Sequence, residues 1–340
     1  MSGGLDSSAA ALMLKEQGYE VIGITLLTYT SIENSPWITD AQELAKKLNI
    51  EHHIIDSRKE FKRDVIDYFV SSYLEGKTPN PCIRCNEVIK WKFLYDLSGK
   101  FSADYISTGH YVRKVESNGY YYIQKGIDPA KDQSYYLWNL SQDILKKAIF
   151  PLGERHKKEI KKIAESNGFL STTGKKESMG VCFLRNKDYR EYLKENLPAG
   201  HPAIQPGNIT DIDNNVIGQH IGFPFYTIGQ KRHIENIPSG HCVIKIDPKN
   251  NRLITGLRDS LYSDAVTLHT FRITPDESLW KNREVFIRIR GIDSSPGYHG
   301  RVKKEGNALT VTFNTPVWAI TPGQSLVFYH NDIVIGGGVG

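Results

Sequence analysis

A pair of glycines set directly in front of a helix limits what the first half of this chain can become. Ser2-Gly3-Gly4-Leu5-Asp6-Ser7-Ser8 runs straight into Ala9-Ala10-Ala11-Leu12-Met13-Leu14-Lys15, a run of strong helix formers, and Gly18 stands where a C-terminal cap belongs. The glycines let backbone N–H groups converge on an anion, and the helix N-terminus adds its partial positive charge. The Lys-Ser/Thr pair of a Walker A loop is missing, so the pattern is not that of an ordinary γ-phosphate-cleaving ATPase. Asp6 is placed either to hold Mg²⁺ or to cap the helix. A loop of this kind normally follows a first strand, and here only Met1 precedes it. The expectation is that the chain as given begins one strand late.

Alternation continues downstream. Val21 to Leu27 reads as a buried strand, Asp40 to Leu48 as an amphipathic helix and Ile50 to Asp56 as a strand. Helices over Glu60 to Glu75 and Asn86 to Leu97 lead to a strand at Tyr105-Ile106-Ser107, then a hairpin, Tyr111 to Lys125, around Ser117-Asn118-Gly119. Helical stretches return at Gln142 to Ala148 and Lys157 to Asn167. Strands separated by helices of this length imply right-handed crossovers and a parallel sheet, so the first half is α/β. From about Gly200 the character changes to short β-branched and aromatic runs between Gly, Pro, Asn and Asp. Ala203 to Asp211, His241 to Asp247, Val285 to Arg290 and Leu309 to Phe313 are such runs, and they predict small β-domains or barrels. The expected division is 1–187, 188–257 and 258–340.

Thiols carry the second signal. Cys82 and Cys85 lie in Asn80-Pro81-Cys82-Ile83-Arg84-Cys85-Asn86, and Cys182 in Gly180-Val181-Cys182-Phe183. A Cys-x-x-Cys pair can coordinate a metal, form a redox couple, or present one nucleophile beside a bystander. Lys175 and Lys176 precede Cys182, and nearby cations would favour its thiolate. Cys242, in the alternating run after His241, reads as core. Four cysteines in 340 residues, two of them so spaced, fit a reducing cytoplasm better than a disulfide framework. No signal peptide and no apolar run able to span a bilayer is seen, and the net charge of +5 permits a polyanionic partner without demanding one.

The motifs together resemble the tRNA-specific 2-thiouridylase family (MnmA/TrmU) over almost the whole chain. The glycine loop is of the pyrophosphatase-loop (PP-loop) type. It is joined by Thr78-Pro79-Asn80-Pro81, Cys85-Asn86, Ile89-Lys90-Trp91-Lys92 and Thr108-Gly109-His110-Tyr111. Lys131-Asp132-Gln133-Ser134-Tyr135-Tyr136-Leu137, Gly180-Val181-Cys182-Phe183, Tyr226-Thr227-Ile228-Gly229-Gln230-Lys231, Pro322-Gly323-Gln324-Ser325 and Gly336-Gly337-Gly338 complete the set in family order. The resemblance implies an adenine nucleotide α-hydrolase-like PP-loop domain with a parallel sheet, followed by β-rich domains ending in a C-terminal β-barrel that braces tRNA. It implies ATP-dependent adenylation of the carbon-2 carbonyl of the wobble uridine, and sulfur delivery by a cysteine persulfide.

By the same resemblance, Ser2, Gly3, Gly4, Asp6, Ser7 and Ser8 hold the triphosphate, with Leu26 and Gly109 flanking adenine. Cys182 carries the persulfide and Cys85 is its partner thiol. Asn80, Pro81 and Cys82 lie against the target base, and His110, Lys131, Asp132, Gln133, Arg288, Ile289 and Gln324 touch tRNA. Cys82 departs from the family, which commonly has aspartate there. Three thiolates, Cys82, Cys85 and Cys182, would instead suit a [4Fe–4S] cluster with one open iron. Lys157-Lys158 with Lys161-Lys162, and Arg288, Arg290, Arg301, Lys303 and Lys304, are basic groups that could follow a phosphate backbone. The implied partners are the tRNAs for Lys, Glu and Gln, and a cysteine desulfurase or sulfur-relay donor; no membrane is expected. Two other readings stand beside this one: a PP-loop synthetase adenylating a small molecule, and a non-catalytic RNA-binding protein with a zinc knuckle.

Overall fold

The computed structural model describes residues 1–31, 35–168, 180–234, 237–291 and 297–340. Helix α1, Leu5–Glu16, is buried along nearly all its length, because the small Ala9, Ala10 and Ala11 allow close neighbours on more than one side. Those neighbours are the helices Pro36–Leu48, through Leu44 and Leu48, and Lys157–Ser166, through Ile160 and Ala164. The helix closes as its sequence predicts: Gly18 takes φ 87°, and the N–H of Tyr19 returns to Leu14 C=O at 3.1 Å.

Strand β1, Ile22–Leu27, pairs in parallel with Glu51–Asp56, and Ile106–Ser107 pairs in parallel with Ala148–Ile149. The first half is α/β with parallel strands, but the described strands form two separate pairs and not one continuous sheet. Met1 lies against β1, where its C=O accepts from Thr25 Oγ1 at 2.7 Å.

A central four-stranded sheet follows, built from Gly207–Thr210, Val216–His220, His241–Asp247 and Arg252–Leu257. The strand expected from Ala203 starts only at Gly207. Pro202 instead initiates a 3₁₀ turn, Pro202–Ile204, and Pro206 has no N–H to give a ladder. This sheet shares its core with the helices over 58–89: Phe61, Phe69, Cys85 and Ile89 pack with Phe183, Phe225, Val243 and Leu253.

The C-terminal sheet is larger than its own domain. Nine strands are joined, and two of them are the hairpin Val112–Ser117 and Tyr120–Lys125 from the α/β half. Asn118 at φ 51° and Gly119 at φ 77° form the two-residue turn that matches strand twist. Tyr120–Lys125 then pairs with Ile333–Val339, so the hairpin expected to belong to the first domain completes the β-rich one. Among the described residues no helix is long and apolar enough to cross a membrane.

Candidate active site

The nucleotide loop is held tightly by its own hydroxyls. Ser7 Oγ and Ser8 Oγ both donate to Gly4 C=O, at 3.0 and 2.9 Å, and Ser2 N–H donates to Ser7 Oγ at 3.1 Å. Gly3 needs to be glycine twice over: its φ is 64°, and a Cβ would lie 2.2 Å from Trp37 C=O. Gly4 caps α1 without any side-chain cap, leaving the helix N–H groups for an anion. Gly109 packs against the same turn so closely that a Cβ would come within 2.9 Å of the Asp6 and Ser7 backbone. Leu26, half-buried on β1, packs against the Phe61 cluster.

Asp6 does not cap the helix. Its Oδ1 accepts from Lys157 Nζ at 2.6 Å and from Tyr111 Oη at 2.7 Å, so that oxygen is already engaged by a cation and a phenol. Lys157, expected on a phosphate-tracking face, is accordingly buried, while Lys158, Lys161 and Lys162 remain exposed.

Asn80 sits at the N-cap and Pro81 at the first position of a helix that runs over 81–100 with a π-turn at Asn86–Lys90. Cys82 and Cys85, three apart, share one face of its first turn. Cys182 approaches from a 3₁₀ turn, Cys182–Leu184, and is exposed, whereas Cys82 is half-buried and Cys85 buried. Burial pushes the Cys85 thiol up to about 12; Lys90 opposes the shift, and Cys182 and Cys82 add to it. The three thiols and the Lys90 ammonium are thus electrostatic neighbours. The expected depression of the Cys182 pKa is not found. Crowding by surrounding protein raises it, and the cation that acts against this is Lys90. Lys175 and Lys176, proposed for that role, lie outside the described residues.

A three-thiolate cluster site does not fit this arrangement. Among the described residues, no three His, Cys, Asp or Glu side chains are gathered to hold a metal ion, and an ammonium stands among these thiols. Cys242 is core, as its sequence suggested.

Two consecutive residues connect the loop to the thiols. Gly109 touches the Asp6–Ser7 backbone, and His110 lies within electrostatic reach of Lys90 and stacks on Trp91 with ring centroids 6.2 Å apart.

The residues expected to touch tRNA divide in two. His110, Asp132, Arg288 and Ile289 are buried and cannot reach a phosphate backbone from where they are. Arg288 pairs with Asp132 at 3.4 Å and lies over the Tyr135 ring, Ile289 belongs to the barrel core, and His110 Nδ1 pairs with Thr108 Oγ1 at 2.7 Å. Gln133 Oε1 accepts from Tyr111 N–H at 3.0 Å, and Gln324 Nε2 donates to Thr78 C=O at 2.8 Å. Both residues are half-buried, as is Lys131. Gln324 therefore ties the barrel to the segment that carries Asn80 and Pro81. Arg290, Arg301, Lys303 and Lys304 are exposed, with Lys303 2.6 Å from Glu305.

Three family models match in succession: the tRNA methyl transferase HUP domain at 1–186, the tRNA methyl transferase PRC-barrel domain at 190–256 and the aminomethyltransferase beta-barrel domain at 263–339. The tRNA-specific 2-thiouridylase MnmA 2 of Phocaeicola vulgatus is 39% identical over 100% of this chain and 96% of its own length. The enzyme named MnmA from Cytophaga hutchinsonii is 39% identical, and that from Natranaerobius thermophilus 40%, each over 99% of this chain and 95% of the relative. The chain belongs to the tRNA-specific 2-thiouridylase family. Within this thiouridylase-family chain, sequence reasoning missed two lysines at the site. By sequence Lys157 looks like a surface charge, although its position at the start of a helix with apolar Ile160 and Ala164 allows an inward stem. Lys90 stands in the Ile89-Lys90-Trp91-Lys92 motif, and the π-turn it closes leaves no residue signature.

Proposed function

We propose that this protein uses ATP to adenylate the carbon-2 carbonyl of the wobble uridine in tRNA and then replaces that oxygen with sulfur carried by Cys182. The observation that carries the reading is the junction at Gly109 and His110, which joins an anion-ready helix N-terminus to the helix that bears Cys82 and Cys85. A uridine carbonyl oxygen leaves poorly, and adenylation turns it into AMP. Exposed Cys182 would be loaded by a persulfide-bearing donor protein, and buried Cys85 would resolve the transfer, leaving a Cys85–Cys182 disulfide for reduction. Asn80, Pro81 and Cys82 would meet the target base, which has to be extruded from the anticodon loop to reach them. Exposed Arg290, Arg301, Lys303 and Lys304 would steer the tRNA backbone. The tRNAs for Lys, Glu and Gln are the proposed set, and the proposed domain division remains 1–187, 188–257 and 258–340.

Products decide the matter. Incubation with ATP, a persulfide donor and tRNA transcript should yield AMP, pyrophosphate and thiolated tRNA. ADP and phosphate would overturn the nucleotide-loop assignment. ATP–pyrophosphate exchange at full rate without tRNA, and no thiolation with it, would favour a small-molecule synthetase.

A further inference from the structure

Lys157 is the first residue of the helix Lys157–Ser166 and is buried, only 7% exposed. Both facts count against a lysine there: a helix N-terminus repels cations, and lysine is almost never buried unless it is paired. Its partner is Asp6, in the first turn of α1, whose Oδ1 accepts from Lys157 Nζ at 2.6 Å. Tyr111 Oη donates to the same oxygen at 2.7 Å, and the ammonium lies 5.5 Å from the centre of the Tyr111 ring. Each donor is fixed from behind. Lys157 N–H donates to Asp128 Oδ2 at 2.9 Å. Tyr111 exchanges hydrogen bonds with Gln133, giving its N–H to Oε1 at 3.0 Å and accepting at its C=O from Gln133 N–H at 3.3 Å. Ile160 and Ala164, on the same face as Lys157, pack on α1 and keep the two helices together.

Asp6 is half-buried and stands two residues past Gly4, where the N–H groups of α1 are left for an anion. Unpaired, its carboxylate would set a full negative charge against a triphosphate, in a helix turn whose own partial charge is only about +0.5. We infer that Lys157 is the charge-balancing residue of the nucleotide site, cancelling Asp6 so that the helix N-terminus can receive a polyanion; the inference rests on the ATP reading above. Lys157 acts through Asp6 and is a positioning residue of that site, not a phosphate ligand. Because the ammonium is buried, salt screens the cancellation much less than it would screen a surface pair. Tyr111 supplies a neutral donor, which fixes the direction of the carboxylate but brings no charge to oppose it.

The test measures ATP binding to the full chain by titration calorimetry in EDTA, so that no divalent cation masks the carboxylate. Wild type is compared with Lys157→Met, with Lys157→Met plus Asp6→Asn, and with Tyr111→Phe, and thermal unfolding of each is recorded alongside. Lys157→Met should weaken ATP binding by about 10-fold, since the freed carboxylate then faces the phosphates. Adding Asp6→Asn should return the affinity to within about 3-fold of wild type, because it restores neutrality without restoring the lysine. Tyr111→Phe should weaken binding far less than Lys157→Met. A purely structural ion pair would lower thermal stability without this pattern in affinity. Wild-type affinity in Lys157→Met would overturn the inference, and so would an affinity that stays low in the double variant. If Lys157→Met does not fold, Asp6→Asn alone decides: it leaves the ammonium unopposed and should tighten ATP binding, and an unchanged or weaker affinity would overturn the inference. A wild-type chain that binds ATP only with Mg²⁺ would assign the balancing to the metal, overturning this inference alone. One that binds ATP under neither condition would overturn the ATP reading and this inference together.

Discussion

Burial of the His110 imidazole, with the Lys90 charge beside it, lowers its pKa to about 3. In the unfolded chain the ring would titrate near 6.5. Between those values the unfolded state binds the extra proton, so stability is complete above pH 6.5 and falls as acid is added, by about 1.4 kcal/mol per pH unit. Urea midpoints measured across that range should therefore drop with acid, and His110→Gln should flatten the slope by about one proton; an unaltered slope would mean that the ring is reached by water. At this scale the thiols were legible, because residue type and spacing alone mark Cys82, Cys85 and Cys182 as chemical. The burial of Arg288, Asp132 and His110 was not, since a charged or titratable residue in a motif looks the same whether it faces solvent or a partner folded against it.

Helix α1 and the Gly109 turn meet backbone to backbone, and that closeness sets where the helix N-terminus points. Gly109→Ala would force a methyl to within 2.9 Å of main-chain atoms that have no rotamer to escape into. The expected outcome is a folded protein whose AMP formation falls by about 10²-fold, since a shift of an ångström is enough to misplace reacting groups. A variant with normal AMP formation would show that the turn yields without moving the loop. Element type was readable from hydrophobic period, and α1 with its Gly18 cap, the hairpin turn and most strand positions appear where expected. The cysteine helix starts at Pro81, five residues before the expected Asn86, and Asn80 before Pro81 is an N-cap and first-position signature. The π-turn left no such mark, since i→i+5 closure is a compromise between the cores on the two sides of the helix: Ile89 fills one and Trp91 the other.

Across the whole molecule, the Arg288–Asp132 pair fastens the barrel to the α/β half, and Tyr135 Oη donates to Ser325 C=O at 2.8 Å nearby. Arg288→Met removes the cation beside a buried carboxylate that keeps its hydrogen bonds from Gly126 N–H, Ser134 N–H and Ser134 Oγ, and should cost about 3 kcal/mol, part of it regained when Asp132→Asn is added. Arg290→Ala, at an exposed site, should leave stability unchanged and lower the salt slope of tRNA binding by about one. Thermal unfolding and filter binding separate the two, and a stability loss at Arg290 or none at Arg288 would reverse their assignments. The change from α/β to β-rich was legible from composition, but the hairpin that crosses that line was not, because pairing between strands so distant in sequence leaves no local pattern. Gln124 Nε2 donates to Asp332 Oδ2 across 208 residues of chain. A ribosome therefore releases Tyr120–Lys125 long before Ile333–Val339 exists to cover it, and such non-local pairing forms late. Until then the hairpin has an open edge, and the segment that positions Asn80 lacks Gln324. A chain cut short during synthesis would carry every cysteine yet lack the strand that closes the sheet, so premature products should be aggregation-prone and poor at sulfur transfer.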